Sequence, residues 1–319
     1  MLKDEKSMNK VNIRGRANVN AGRNAFTFME LLILIATIGI LATVVLPSLA
    51  GPKTESKSFQ CINNLKQLAT AWIMYSDESN DRLVDLSTYE VSKGYAPVIS
   101  GAPEGVPWRT SISAMSPPPL PAGTLASSST AQKFFIEWGF ERPAPNVAGP
   151  LYAFAPNVDI VHCPADWRAN LPVKIQPYSG PFAWDSYSGS AYLNGEQGGF
   201  TKRSQVLHPA GRFIWAEGGD LRGENLGSWT MNNVGQISNG FASAQFGDSP
   251  AAFHVAAANF NFCDGHVENH KWQDHTTIAF ANDTSFDKDS GGFAKITAQH
   301  AGNVDAIWVG SHYAGPKNP

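Results

Sequence analysis

The sequence holds few cysteines and none of the short motifs that mark common enzyme sites. Its three cysteines, Cys61, Cys163 and Cys263, form no CxxC pair, so a zinc ribbon or a thioredoxin-type site is not expected. A GxSxG motif, a P-loop and a Rossmann fingerprint are also missing from the 319 residues. Because no catalytic constellation stands out either, the sequence predicts a protein that is not an enzyme.

Charged residues are scarce as well, and this narrows the range of partners. They make up 16% of the chain, below the roughly 25% of an average globular protein. The net charge of −3 provides no strongly basic surface, so nucleic acid is not expected to be a partner. A composition this apolar is instead expected of an exported protein that contacts other copies of itself.

The amino-terminal third contains one long apolar run behind a basic segment. Residues 1–25 are rich in lysine and arginine and are predicted to be a flexible basic leader. From Phe26 to Leu46 the one charged residue is Glu30, and about 20 apolar residues are enough to cross a hydrocarbon core of ~30 Å. The run predicts a transmembrane helix at 26–47, in a single-pass membrane protein with a cytoplasmic amino end and an exported head.

Glu30 helps to choose between three interpretations of this run. A signal peptide ending at Ser48-Leu49-Ala50 would be unusually long and would carry a charge where one is unwelcome. A plain signal anchor gives the carboxylate of Glu30 no role, although an unpaired carboxylate inside lipid costs roughly 3 kcal/mol. Cleavage before Phe26 supplies a partner, because Glu30 then lies about one helical turn from a new amine. The carboxylate can pair with that amine on a neighbouring copy and set the register between the two.

The segment AFTFMELL, from Ala25 onward, resembles the processing motif of type IV prepilins and type II secretion pseudopilins. The resemblance implies cleavage between Ala25 and Phe26 by a prepilin peptidase, N-methylation of Phe26 and an assembly role for Glu30. It also implies a helix kink at Pro47. The implied partners are other copies, other pilin-like subunits, the prepilin peptidase, the inner-membrane assembly machinery and the lipid bilayer. The implied location before assembly is the inner membrane, and the implied product is a pseudopilus or a type IV pilus-like fibre, in the periplasm or on the cell surface.

Helical spacing resumes beyond Pro47. Apolar residues recur every three to four positions within 48–80, and they are Ile62, Leu65, Leu68, Ala69, Trp72, Met74 and Tyr75. An amphipathic helix here would extend the transmembrane segment into a single helix about 75 Å long. The predicted fold class is therefore α+β and pilin-like. Its long N-terminal helix packs on a small antiparallel β-sheet head at 81–319, which carries loop insertions such as the Pro/Ser/Gly-rich stretch at 95–130.

Two stretches of the head read as strands. Residues 211–219, GRFIWAEGG, alternate in polarity and predict a half-buried strand. Residues 250–272 give the clearest hairpin, in which Asp264-Gly265 predicts a two-residue type I′ turn. His254, nine further residues and Asp264-Gly265 resemble the H-x9-DG signature of a large pseudopilin-like family. That signature identifies a family without attaching a chemical role to its residues.

Two groups of residues in the carboxyl-terminal third invite a metal interpretation. The first group combines imidazoles with a carboxylate, and both are ligands that suit a transition metal. Its members are His254, Asp264, His266, His270 and His275. Because HExxH-type spacing is missing, a structural hydrogen bond between His254 and the Asp264 turn is the preferred interpretation. Asp287 and Asp289 resemble the start of a calcium loop that lacks the closing glutamate of an EF-hand. No cofactor is therefore predicted, and calcium is the alternative.

The cysteines permit one covalent tie between the predicted helix and the head. Cys61 lies where the helix should meet the head, and Cys163 begins the segment CPAD. A disulfide between them would close a long loop and add about 2–4 kcal/mol of stability. Two buried thiols are the alternative, and both interpretations stay open. Cys263, just before the predicted turn, is expected to be a small packed thiol.

Two other classes of function stand beside the structural fibre subunit. A secreted or membrane-anchored carbohydrate-binding or adhesion module would need exposed tryptophans lining a groove, and the candidates are Trp108, Trp138, Trp167, Trp184 and Trp229. A metal-dependent hydrolase would need the histidines of the first metal group to converge within about 4 Å of one point. The preferred function is the fibre subunit, because it alone gives Glu30 a partner.

Overall fold

The computed structural model divides the chain into two compact units, residues 1–51 and 52–319. The structure describes residues 27–38, 52–88, 107–111, 118–125, 128–141, 149–168, 184–195, 197–221, 225, 227–234, 240–284 and 300–315. Several predicted site residues lie outside these ranges, together with the leader at 1–25: Ala25, Phe26, Pro47, Asp287 and Asp289.

In the first unit, residues 28–38 form helix α1. The backbone N–H and the side-chain hydroxyl of Thr27 both donate to Oε2 of Glu30 at 2.8 Å, and the Glu30 amide donates to Thr27 Oγ1 at 3.3 Å. This reciprocal arrangement is a capping box, which satisfies donors that the first turn of a helix leaves unpaired. Glu30 therefore stabilises the start of α1 within its own chain.

Within the described residues, no helix combines the length and the apolar character needed to cross a membrane. Helix α2 (Pro52–Glu78) is longer than the described part of α1, but charged residues such as Lys57 and Lys66 recur along it. The long N-terminal transmembrane helix of the predicted fold class and the predicted single-pass inner-membrane location are therefore wrong. The predicted bounds of that segment, 26–47, lie partly outside the described residues.

The second unit mixes helices with antiparallel strands. Its α-helices in the described residues are α2, α3 (Ser129–Glu141), α4 (His275–Asn282) and α5 (Val304–His312). Its strands there are β1 (Tyr187–Gly189), β2 (Leu193–Gly195), β3 (Gly198–Gly199), β4 (Phe213–Glu217), β5 (Met231–Asn232), β6 (Gln245–Phe246), β7 (Ala257–Phe262) and β8 (Val267–Lys271). Strands β1, β4, β7 and β8 form one antiparallel sheet in that order, while β2 with β3 and β5 with β6 make two-stranded sheets.

Helix α2 packs on one face of the four-stranded sheet through its apolar stripe. The fully buried members of that stripe are Cys61, Leu65, Leu68, Ala69 and Trp72. Asn261 of β7 fastens the helix, because its Nδ2 donates to the carbonyl oxygen of Leu65 at 2.8 Å. Its Oδ1 accepts from the backbone N–H of Trp215 at 2.8 Å. One buried amide thus joins α2, β4 and β7.

An aromatic layer covers the opposite face of the sheet. Its buried rings are Phe213, Trp229, Phe246, Phe260, Phe262, Trp272 and Tyr313, and many meet edge to face, as Phe213 and Phe260 do with centroids 5.3 Å apart. Helices α4 and α5 contribute further apolar side chains to this layer. Because both faces are covered, all five residues of β4 are buried, and the predicted half-buried strand at 211–219 is wrong.

The turn between β7 and β8 differs from the predicted type I′ form. A type I′ turn requires positive φ at both central residues. Gly265 has φ +94°, but Asp264 does not have a positive φ. The Gly265 amide donates to the Phe262 carbonyl at 2.8 Å, and the Phe262 amide donates to the His266 carbonyl at 2.9 Å. The side chain of Asp264 accepts a hydrogen bond from the His266 amide at 3.1 Å. This contact favours a turn longer than the predicted two residues.

Candidate functional site

Four side chains from separate parts of the second unit converge in its core. They are Cys61, Cys163, Glu217 and His254, which we call the Cys–His–Glu cluster. One potential ligand atom from each lies within 4.8 Å of every other, and all four residues are buried. Cys61 and Cys163 are joined in a disulfide with Cα atoms 5.0 Å apart, inside the usual range of about 4.4–6.8 Å.

Local contacts bring the two cysteines together. Cys61 belongs to the buried stripe of α2, and Cys163 follows a short 3-10 helix at Val158–Val161. Asn64, three residues after Cys61, donates from Nδ2 to the carbonyl oxygens of Asp159 at 3.0 Å and His162 at 2.8 Å. The backbone of the segment that carries Cys163 is therefore fixed against α2 whether or not the sulfurs are bonded.

Glu217 and His254 approach the sulfurs from the sheet. Glu217 is the last residue of β4, and its Oε1 lies 3.0 Å from His254 Nε2. The same nitrogen lies 3.4 Å from the Sγ of Cys163. Asn259 holds the carboxylate in place, since its backbone N–H donates to Oε2 at 2.9 Å and its Nδ2 to Oε1 at 3.2 Å. The imidazole therefore bridges the carboxylate and one cysteine sulfur.

The turn after His254 has an uncommon backbone. Val255 has φ +53° and Ala256 has φ +59°, in the left-handed region that a β-branched residue rarely adopts. Such local strain persists where surrounding contacts over-determine it, and it is often found at functional sites. His254, the residue before this turn, has a buried imidazole.

A buried tyrosine, Tyr187, also contacts the cluster. The hydroxyl of Tyr187 donates to Cys61 Sγ at 3.3 Å. Burial raises the pKa of Tyr187 well above its ordinary value, and the carboxylate of Glu217 raises it further. Tyr187 therefore remains a protonated donor beside the sulfur at neutral pH. Within the described residues, Nδ1 of His254 is buried and has no hydrogen-bond partner.

The predicted histidine group is not assembled in one place. His254 lies beside Glu217, and Asp264 instead pairs with His266, whose Nδ1 is 2.6 Å from Oδ1. The predicted hydrogen bond between His254 and the Asp264 turn is therefore wrong. The physical reason is that the two residues flank opposite ends of β7, whose six residues span about 20 Å.

The remaining histidines of that group have partners of their own or are exposed. Nε2 of His270 lies 3.2 Å from Oδ1 of Asp305 in α5. The side chain of His275 is 93% exposed at the start of α4. The structure thus separates the predicted histidines and keeps one of them, His254, in the candidate site.

The tryptophans do not form an exposed platform. Trp108 and Trp229 are buried in the core. Trp138, Trp167 and Trp184 are half-buried, and Trp184 stacks on His162 with centroids 4.1 Å apart. This arrangement gives no specific support to a carbohydrate-binding groove.

The sequence interpretation missed Glu217, the fourth member of the cluster. Its signal was a carboxylate at the end of an otherwise apolar strand, FIWAE, where burial requires a partner.

Comparison of the chain with protein-family models, with curated proteins and with solved structures finds no match.

Proposed function

We propose that the protein is a structural fibre subunit, cut before Phe26 by a prepilin peptidase and assembled with other copies into a pseudopilus or pilus-like fibre. The observation that carries the proposal is the exposed apolar surface of α1. Phe28 is 74% exposed, Met29 67% and Ile33 59%, and residues 27–38 are exposed on every side of the helix. A helix that is apolar all round needs to be covered, and a fibre covers it with the same helix of other copies.

The position of Glu30 supports a specific contact in such a fibre. Cleavage before Phe26 makes Glu30 the fifth residue of the mature chain, in the first turn of α1. Its carboxylate is exposed and bound to Thr27 of its own chain. In the proposed fibre the amine of Phe26 from an adjacent copy joins this carboxylate. The protein's work is then assembly, with other pilin-like subunits and the assembly machinery as further partners.

The first test is the amino terminus of the protein recovered from its natural host. Mass spectrometry is expected to find a chain that begins at N-methylated Phe26, because the peptidase cuts after Ala25. A chain that begins at Gly51 would identify an ordinary signal peptide, and an uncut Met1 would identify a chain that no peptidase processes. Either of those two results would overturn the proposal.

The second test replaces Glu30 with alanine. We expect fibre yield to fall about tenfold or more, since the amine of each incoming subunit loses its buried carboxylate partner. Electron microscopy and sedimentation of sheared fibres measure the yield, and tryptophan fluorescence checks that the second unit stays folded. Glu55→Ala on α2 is the matched control, as Glu55 is an exposed glutamate in the first turn of a helix. Normal fibre yield from Glu30→Ala would refute the register contact.

A further inference from the structure

The Cys–His–Glu cluster contains a disulfide, and its four side chains are also of the types that bind metal ions. We propose that, when the Cys61–Cys163 disulfide is reduced, the four side chains bind one divalent cation of the zinc type. The disulfide and the bound cation are then alternative states of the same residues. This inference does not depend on the proposed fibre function.

The ligand set and its dimensions match zinc. Two thiolates, one imidazole and one carboxylate are all common zinc ligands, at about 2.3 Å for sulfur and about 2.0–2.2 Å for nitrogen and oxygen. A tetrahedron with those bond lengths separates its ligand atoms by roughly 3.3–3.8 Å. Nε2 of His254 is 3.0 Å from the carboxylate and 3.4 Å from a cysteine sulfur, so small shifts bring them to that separation. All four ligand atoms lie within 4.8 Å of one another, and the two sulfurs have to part once their bond is broken.

Charge balance favours a cation in the reduced state. Glu217 is fully buried, and within the described residues neither lysine nor arginine pairs with it; its contacts are with the imidazole of His254 and with Asn259. Reduction adds two thiols, and thiolates beside this carboxylate would bring three negative charges into the core. Buried charges are costly unless they are paired or bound to a metal. A doubly charged cation offsets most of that charge directly.

The neighbours of the cluster hold the side chains as an outer shell does around a metal. Asn259 binds both oxygens of Glu217, which fixes the carboxylate. The Tyr187 hydroxyl points at Cys61 Sγ, and a thiolate accepts a hydrogen bond better than a disulfide sulfur does. Asn64 keeps the backbone of the Cys163 segment on α2 without help from the sulfur bond.

The exchange between the two states balances as follows. A dithiol attacks the Cys61–Cys163 bond, is itself oxidised to a disulfide, and leaves two protonated cysteines. The cation then binds both sulfurs and releases two protons to solvent. Reoxidation by a disulfide reverses both steps: the Cys61–Cys163 bond re-forms, the cation is released, and the oxidant takes two protons from solvent and becomes a dithiol.

A site with four protein ligands and full burial is structural rather than catalytic. Catalytic zinc sites keep one position open for water, whereas structural sites use all four positions for the protein. All four members of the cluster are buried, so the bound ion has no substrate to meet. The proposed site therefore does not support the hypothesis of a metal-dependent hydrolase, because the structure separates the histidines that this hypothesis requires.

The test titrates the full-length chain with Co²⁺, a coloured substitute for zinc, before and after reduction. The reductant is a trialkylphosphine, which becomes a phosphine oxide with oxygen from water and does not compete for the metal as a dithiol would. The reduced protein is expected to bind one Co²⁺ per chain with a thiolate-to-cobalt charge-transfer band, and Zn²⁺ is expected to displace it. The oxidised protein is expected to show no such band.

Matched variants separate this site from other thiols and histidines. His254→Gln is expected to weaken binding about tenfold or more, while His266→Gln, at an exposed pair with Asp264, leaves it unchanged. Cys263→Ala removes the buried free thiol and is also expected to bind normally. Near-ultraviolet circular dichroism confirms that each variant is folded, and urea-denatured protein measures the affinity of the unfolded cysteines alone.

Three results would overturn the proposal. The first is a reduced, folded wild-type chain without a charge-transfer band. The second is equal affinity of the folded and urea-denatured chains, since the cysteines would then bind without the imidazole and the carboxylate. The third is unchanged affinity in folded His254→Gln.

Discussion

Replacing Arg168 with methionine is expected to lower the free energy of unfolding by about 3–5 kcal/mol. Arg168 is completely buried and forms a salt bridge with Asp166, also buried, at 2.7 Å. Methionine fills similar volume but leaves the Asp166 carboxylate without its cation. Breaking a buried pair from one side is costly because the remaining charge stays in a region of low polarity. Urea denaturation of the full chain, followed by tryptophan fluorescence, measures the loss.

The effect is large because Arg168 joins parts of the chain that are distant in sequence. Its Nη1 donates to the carbonyl oxygen of Asp220 at 2.6 Å and to Oδ1 of Asn225 at 2.9 Å. Its Nη2 donates to the carbonyl oxygen of Asp185 at 2.7 Å. Burial raises the pKa of the Asp185 side chain, and the guanidinium groups of Arg109 and Arg168 oppose this shift. Loss of Arg168 therefore leaves several buried acceptors unsatisfied at once.

Arg203 provides the control for this variant. It pairs with Asp77 at the surface, where the two side chains are 33% and 57% exposed. Arg203→Met is expected to cost about 0–1 kcal/mol, because water replaces the lost partner. The double variant Asp166→Leu/Arg168→Met should recover part of the single-variant loss, since no lone charge remains. Equal midpoints for Arg168→Met and Arg203→Met would show that the buried network contributes little.

Patterns of local spacing predicted the elements that bury an apolar stripe. The spacing of Leu65, Leu68 and Trp72 fixes which side of α2 faces the sheet, because a helix repeats every 3.6 residues. The strand before Asp264 follows from alternation in the same way. The turn type at Gly265 did not follow, since the side chain of Asp264 binds the His266 amide and lengthens the loop.

Contacts between residues far apart along the chain could not be predicted from local sequence patterns. Glu217 and His254 are 37 positions apart, and the two cysteines are 102 apart, so no local spacing brings them together. The sequence left a Cys61–Cys163 disulfide and two buried thiols both open, and His254 was assigned a different partner. Trp108 and Arg109 fall within the Pro/Ser/Gly-rich stretch at 95–130, yet both are completely buried. Composition describes such a stretch on average and misses the few residues that enter the core.

Removing the disulfide is expected to have the second large effect. The double variant Cys61→Ala/Cys163→Ala, measured without reductant, should lose about 4–5 kcal/mol of unfolding free energy relative to the oxidised wild type. The bond joins residues 102 positions apart, and closing a loop of roughly 100 residues restricts the unfolded chain by about 4.7 kcal/mol. Asn64 still ties α2 to the Cys163 segment, so the folded state should keep its shape.

Cys263→Ala is the control for sulfur removal without loss of a cross-link. Cys263 is a buried free thiol, and its truncation should cost about 1 kcal/mol. The phosphine should destabilise the wild type and Cys263→Ala strongly and the double variant hardly at all. If reduction leaves the wild-type midpoint unchanged, the cross-link does not contribute to stability.

Zinc distinguishes loss of the cross-link from loss of the site. In the reduced wild type, Zn²⁺ at about one hundred times its dissociation constant should restore roughly 2.7 kcal/mol, because it binds the folded state preferentially. The double variant has no thiolates at the cluster and should gain nothing. Reduced His254→Gln should gain less than the wild type at the same zinc concentration. Recovery in the wild type alone would mean that one group of side chains stabilises the core in two ways, by a covalent bond when oxidised and by a cation when reduced.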